Sequence, residues 1–221
     1  MSFPRILSLG CLGLALALAA ASPASAVTLN LSTGLDNTNT VISSGDVADA
    51  YWTASANGGA ALTVFPNNAD WFGGWVANSS QSDWIANNPN VTDQGPTPYT
   101  FTRTFDLTGV NLSTVSLSGG WTLDDQGTLD LNGNNLGTLG DGNWGSLSSF
   151  SALGTDGFFN QGVNTLTMTI TDSDRFLEGV DLQGTLTGRS LGAPEPSPLL
   201  GLLIPTLFVG VLALRRRAPA A

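Results

Sequence analysis

Apolar and polar residues alternate with a period of two along most of the chain between Val27 and Leu186. Residues 27–31, 50–54 and 62–65 are short alternating or β-branched and aromatic runs between Gly, Asn and Ser clusters, the pattern of strands. Tyr99, Phe101, Phe105 and Leu107 fall on one face of a longer strand, with Thr100, Thr102, Thr104 and Asp106 on the other. Arg103 interrupts the apolar face, which predicts a sheet edge or an internal acid partner. Val115, Leu117, Trp121 and Leu123 continue the period. So do Leu129 and Leu131, then Leu166, Met168 and Ile170, and last Val180, Leu182 and Leu186. Glycine- and Asp/Asn-rich joints separate the runs, and Asn132-Gly133 is a two-residue hairpin signal. No amphipathic helix of ten residues interrupts them. Eight or nine short strands with these joints predict an all-β chain, an antiparallel β-sandwich of jelly-roll type. Residues 66–98 are poor in strands and rich in Trp and Asn, and read as long loops at one end of the sandwich.

The pattern changes at both ends. Arg5 precedes an almost wholly apolar stretch, Ile6 to Ala21, then Ser22-Pro23 and the small residues Ala24-Ser25-Ala26. A basic start, an apolar run and a small-residue site form a secretory signal, residues 1–26, with signal peptidase expected to cut between Ala26 and Val27 and to read Ala24 and Ala26. At the other end Pro194-Glu195-Pro196 is followed by Leu199 to Leu214 and then Arg215-Arg216-Arg217. Sixteen helical residues span roughly 24 Å, short of the ~30 Å hydrocarbon core, so residues 199–214 form a marginal span suited to transient retention in the inner membrane. The arginines of the 215–221 tail favour the cytoplasmic side, which places the preceding chain outside.

These residues resemble a PEP-CTERM sorting signal of Gram-negative bacteria: Pro194, Glu195 and Pro196, an apolar helix, the cluster Arg215, Arg216 and Arg217, and the chain end. Ala193 stands where Val is more usual. The resemblance implies recognition and cleavage by an exosortase, and a mature protein at the cell surface or in the extracellular matrix. The organisation expected is a signal helix, a sandwich over 27–188, a linker over 189–198, an apolar helix and a basic tail.

Composition narrows the chemistry. The chain has 221 residues, no histidine, no lysine and one cysteine, Cys11, which lies in the signal. The expected mature part therefore has no thiol nucleophile, no disulfide and no imidazole base or ligand. It keeps Arg103, Arg175 and Arg189 against sixteen acids. Such a surface repels phosphate backbones, which excludes nucleic acid as a partner. Neutral hydrogen-bonding side chains dominate instead.

A second resemblance spans residues 99–188. Trp121-Thr122-Leu123-Asp124-Asp125, then Leu129-Asp130-Leu131-Asn132-Gly133, then Gly162-Val163-Asn164-Thr165-Leu166 are similar to the galactose-binding-like jelly roll of secreted bacterial proteins. Many members bind sugars and others are structural, so fold alone does not give the ligand. Trp71, Trp75 and Trp84 lie among Asn and Gly, and aromatic faces stack on sugar rings. Residues 67–90 are thus the expected surface for an extracellular polysaccharide, against the alternative that the tryptophans only cover the core. Asp124 and Asp125, with Asp130, are a candidate calcium set. The competing and preferred reading is a strand end whose carboxylates bond turn amides, and no cofactor is expected. With no His and no Gly-x-Ser-x-Gly, serine hydrolysis is disfavoured. A glycosidase acid pair is the weaker alternative to a non-enzymatic glycan-binding, structural or adhesive protein.

Overall fold

The strand-rich region is built on alternation that the backbone keeps. The computed structural model describes residues 24–55, 58–64, 74–90, 98–171 and 178–192. Eleven strands occur among them: β1 Ala26–Asn30, β2 Ala48–Ala54, β3 Gly59–Thr63, β4 Ile85–Ala86, β5 Tyr99–Asp106, β6 Ser116–Asp124, β7 Gln126–Leu131, β8 Asn134–Leu139, β9 Ser148–Leu153, β10 Val163–Thr171 and β11 Gly179–Arg189. All pairings are antiparallel. The hydrogen-bonded order is β8-β7-β10-β5-β2-β3-β4-β11-β6-β9, with β1 added on β11.

The short β4 bonds to both β3 and β11 and so joins two layers, β8 to β3 and β4 to β9. Their inner faces supply one core. Phe101, Leu129, Met168 and Ile170 from the first layer pack with Leu117, Leu123, Val180 and Leu182 from the second. β10 shows why these segments are strands: Leu166, Met168 and Ile170 are fully buried while Thr165, Thr167 and Thr169 are half-buried on the other face. Burying each such Leu, Ile or Met side chain is worth about 1.5–3 kcal/mol. The expected antiparallel β-sandwich is therefore present. The expected terminal helices and the 199–214 span lie outside the described residues, and among the described residues no helix is long and apolar enough to cross a membrane.

Three expectations are refined. β4, β8 and β9 add to the strands expected from alternation. Asn132 and Gly133 have φ of 51° and 79°, the left-handed pair that a two-residue hairpin between β7 and β8 requires. Arg103 is not at a sheet edge, since β5 lies between β10 and β2; it is 5% exposed, donates to the backbone carbonyls of Ser32 and Asn30, and is favoured in its charged form by the buried carboxyl of Asp49.

Candidate functional site

The outward face of the second layer is where neutral polar side chains meet open space. On β11, Leu182, Leu186 and Val180 point into the core, so Asp181, Gln183, Thr185 and Thr187 point outward. Register then fixes the neighbours. Asn30 of β1 and Ser118 of β6 both lie opposite Thr185, Gly120 lies opposite Gln183, and Thr28 lies opposite Thr187. Adjacent strands are ~4.8 Å apart, so Asn30, Thr185 and Ser118 form a row of closely spaced polar groups. The chain runs on along β11 past β1, with Leu31 N–H donating to Gly184 O at 2.8 Å and Thr33 N–H to Leu182 O at 2.9 Å. This brings Ser32 beside Gly184, whose N–H donates to Ser32 Oγ at 3.2 Å.

One side of this floor carries a wall. Residues 79–82 close on themselves: Ser79 N–H donates to Ser82 O, and Ser79 Oγ accepts from the amides of Gln81 and Ser82. Gln183 Nε2 donates to Ser79 Oγ at 3.0 Å and ties the turn to the floor. The result is a cleft of about 520 Å3 lined by Thr28, Asn30, Ser32, Ser118, Gly119, Gly120, Gln183, Gly184 and Thr185 beneath, and by Ser80 and Gln81 at the side. Every lining residue is a glycine or carries a neutral hydroxyl or amide. Such groups donate and accept hydrogen bonds without the desolvation cost of a charge.

Gly119 lets β6 lie close against β11 on the core side of this sheet: a Cβ there would fall 1.9 Å from the carbonyl oxygen of Gln183 and 2.9 Å from the Phe150 ring, so no side chain fits.

The tryptophans expected to form a platform are placed otherwise. Trp84 is fully buried and Trp75 is 6% exposed. Their rings stack on each other, centroids 4.0 Å apart, in a second apolar cluster with Val64 and Ala86. Trp84 Nε1 donates to Val76 O at 2.8 Å and Trp75 Nε1 to Asp124 Oδ2 at 2.6 Å. With faces covered and N–H groups engaged, neither offers a ring to a ligand; they close an end of the sandwich because burying two indoles outweighs leaving them in water. Trp71 lies outside the described residues.

The candidate calcium set is not assembled. Asp124 and Asp125 are 5% and 6% exposed at the end of β6. Asp130 is five residues on, roughly 16 Å along a strand, in the other layer. There it accepts from Thr128 Oγ1 and Asn135 Nδ2. Among the described residues no group of three or more His, Cys, Asp or Glu is placed to hold a metal. Burial pushes the Asp124 carboxyl up to about 8, helped by its bond to Asp125 and opposed by the Trp75 N–H. Asp124 is thus protonated at neutral pH and works as a hydrogen-bonding strand end.

The processing residues divide. Ala24 is exposed, and Ala26 and Val27 sit in β1 opposite Arg189 and Gly188. Pro194, Glu195, Pro196, Arg215, Arg216 and Arg217 lie outside the described residues. Residues 162–164 of the galactose-binding-like phrase have a structural task. Asn164 is fully buried, its side chain joins Asn132 Nδ2, Asn160 and Gly162 O, and Gly162 O accepts from Leu107 N–H.

No protein-family model matches the chain, and no curated protein matches it. Among solved structures, the chain is similar to the CBM36-1 domain of a multidomain xylanase from the hindgut metagenome of Trinervitermes trinervoides, at 12% identity over 42% of this chain and 73% of that one, TM-score 0.26. It is similar to the carbohydrate-binding module CBM36 in complex with calcium and xylotriose, at 12% identity over 50% and 75%, TM-score 0.23. It is similar to Podospora anserina GH26-CBM35 β-(1,4)-mannanase, at 16% identity over 78% and 29%, TM-score 0.25. Likeness at these scores carries nothing about this chain's ligand.

Proposed function

We propose that this chain is an exported β-sandwich protein that binds neutral glycan, without cleaving it, in the cleft on the outward face of β1, β11 and β6. The observation that carries the reading is the cleft's lining: hydroxyls, amides and glycine, with no charged side chain. Neutral sugars present hydroxyls that pair with such groups, while an uronate or sulfate would find no cation among the lining residues. Glycoside cleavage by the usual route needs two carboxyl groups flanking the scissile bond. Among the described residues the cleft has none, which supports binding over hydrolysis. The setting we propose follows the two end signals. Signal peptidase removes residues 1–26, an exosortase acts near Pro194-Glu195-Pro196, and the protein reaches the cell surface or an exopolysaccharide matrix.

Affinity electrophoresis of the purified protein in gels of neutral and of uronate-rich polysaccharide tests the reading. Retardation in the neutral gel, lost on Asn30→Ala with Gln81→Ala, is the expected result. Equal retardation of the double variant removes the cleft from the site, and no retardation in any gel favours a purely structural or adhesive protein. Mass measurement of the protein recovered from producer-cell medium tests the route: loss of both ends is expected, and an intact chain contradicts it.

A further inference from the structure

One end of the sandwich is apolar at its surface. Three large apolar side chains are more than half exposed there: Leu153 at 51%, Leu191 at 55% and Val163 at 64%. The segment from Asp106 to Ser116, which passes from β5 in the first layer to β6 in the second, meets all three places. Asp106 lies opposite Val163, and Leu107 N–H donates to Gly162 O at 2.8 Å. Gly109 O accepts from Leu191 N–H at 2.6 Å, and Val110 bridges to Ser190. Val115 O accepts from Gly154 N–H at 2.8 Å, and Ser116 lies opposite Leu153. Val47, the other exposed large apolar residue among those described, is elsewhere. Its N–H donates to Thr63 Oγ1, Thr63 lies opposite Ile85, and Ile85 lies opposite Val180, at the other end of β11 from Arg189. Apolar residues scattered singly over a surface need no explanation, whereas three gathered at one end do.

The same end is where the chain leaves the sandwich. Ser25 N–H donates to Ser190 Oγ at 2.8 Å, and Ser190 N–H donates to Ser25 O at 2.9 Å, so residues 25 and 190 lie side by side. In sequence, the apolar stretch Ile6 to Ala21 ends three residues before Ala24, and Leu199 to Leu214 begins eight residues after Leu191. Extended chain covers at most ~3.6 Å per residue, so the two segments attach within about 11 Å and about 29 Å of this end. Arg189 is exposed here with Asp106 and Asp156, which leaves the end with little net charge in a chain of formal charge −10.

We propose that this end is a lipid-docking surface: Leu153, Val163 and Leu191 rest in the interfacial region of a bilayer while an apolar segment of the chain is embedded in it. Docking rests on the membrane-retention reading of residues 199–214 and adds an orientation to it. Three aliphatic side chains are too few to hold a free protein on a membrane. They suffice here because the short linker holds them near the lipid at a roughly millimolar effective concentration. An end of little net charge suits a zwitterionic headgroup layer. The cleft opens on the face of the sheet, with Thr185 four residues along β11 from Arg189 and roughly 13 Å from the docked end, so it stays clear of the lipid.

The full chain, reconstituted into phosphatidylcholine vesicles, tests this. It carries Cys11→Ser and one environment-sensitive fluorophore, at Thr155→Cys beside Leu153 or at Gly140→Cys. Both positions are exposed, and Gly140 follows β8 at the far end from the Asn132-Gly133 hairpin, where Asn132 N–H donates to Thr165 O. Flotation with the vesicles reports retention, and quenching by a lipid spin-labelled near its headgroup reports docking. Quenching at 155 should be at least about threefold that at 140, and should fall to the level at 140 in Val163→Ser with Leu191→Ser. Should that pair fail to fold, Leu191→Ser alone, beyond the last strand, should lower it by about half. Equal quenching at 155 and 140 in chains that float overturns the docking surface and leaves retention standing. Chains that do not float overturn both. A blue-shifted probe at 155 that the lipid does not quench means another copy of the chain covers this end, which also overturns docking.

Discussion

The Arg103 guanidinium carbon lies 4.4 Å from the centroid of the Tyr51 ring, and its two terminal nitrogens donate to Asn30 O at 2.5 Å and Ser32 O at 3.1 Å. A buried cation thus ties β5 to the backbone of residues 30–32, where Asn30 and Ser32 line the cleft. Burial draws the guanidinium down to about 10, with Asp49 and Tyr51 acting against the fall. Stacking on an aromatic face and forked donation are what a guanidinium does and an ammonium does not. Arg103→Met should cost about 2–4 kcal/mol, because two carbonyls lose charged donors, and Arg103→Lys should recover less than half. Urea unfolding measures both; a cost below ~0.5 kcal/mol for Met contradicts the tie.

Trp75 closes the sandwich through a stack and one hydrogen bond. Trp75→Phe keeps an aromatic face against Trp84 and removes the donor to Asp124, so it should cost about 1–2 kcal/mol. It should also move the Asp124 titration further upward, since the lost bond favoured the charged form. Trp75→Ala should cost about 3–5 kcal/mol through the cavity left beside Trp84. Thermal melts with carboxyl titration by NMR check the pair; equal costs for Phe and Ala would mean the stack contributes nothing.

Gly119 and Gly140 form an internal control. A Cβ at Gly119 meets Gln183 O at 1.9 Å, whereas one at Gly140 meets nothing within 4 Å. Gly119→Ala must push β6 from β11 and should cost more than about 3 kcal/mol. Gly140→Ala should stay within about 0.5 kcal/mol of wild type. Similar melting temperatures for the two variants contradict the close approach of β6 to β11 at Gly119.

Stability should fall as pH rises. Asp83, Asp124 and Asp181 all titrate above the ordinary carboxyl value of 3.8, to about 8, about 8 and about 6. The folded state then binds more protons than the unfolded chain between about pH 4 and 8. The contribution is full below about 4 and lost through the 6–8 range. Melting temperature should decline across that window, and Asp124→Asn should flatten part of the decline. A melting temperature that rises from pH 5 to 8 contradicts the burial of these groups.

The core was legible because it depends on period alone. Phe101 and Phe105, Leu117 and Leu123, and Val180, Leu182 and Leu186 are buried as the alternation indicates. β8 and β9 were missed because Asn134-Asn135-Leu136-Gly137 and Ser148-Ser149-Phe150-Ser151 are glycine- and serine-rich, edge-like sequences whose strand character comes from pairing with β7 and β6. The role of Trp75 and Trp84 was misread for a related reason: a tryptophan among Asn and Gly shows its surroundings in sequence, not what folds over it. The cleft left almost no mark. Thr28, Asn30, Ser118, Gln183 and Thr185 are ordinary outward strand positions, and only the register of three strands distant in sequence places them together. The Ser79–Ser80–Gln81 run beside them was the available hint, a short polar turn following two indoles.

The central claim is that neutral glycan occupies the floor at Thr185, an exposed position between Asn30 and Ser118. Isothermal titration of the purified protein with neutral oligosaccharide, compared with a Thr185→Trp variant of unchanged melting temperature, tests it most directly. The account predicts binding in the range of about 0.1–1 mM for wild type, as suits a site without an aromatic platform, and at least about tenfold weaker binding for the variant. Wild-type affinity in the Thr185→Trp protein would contradict it.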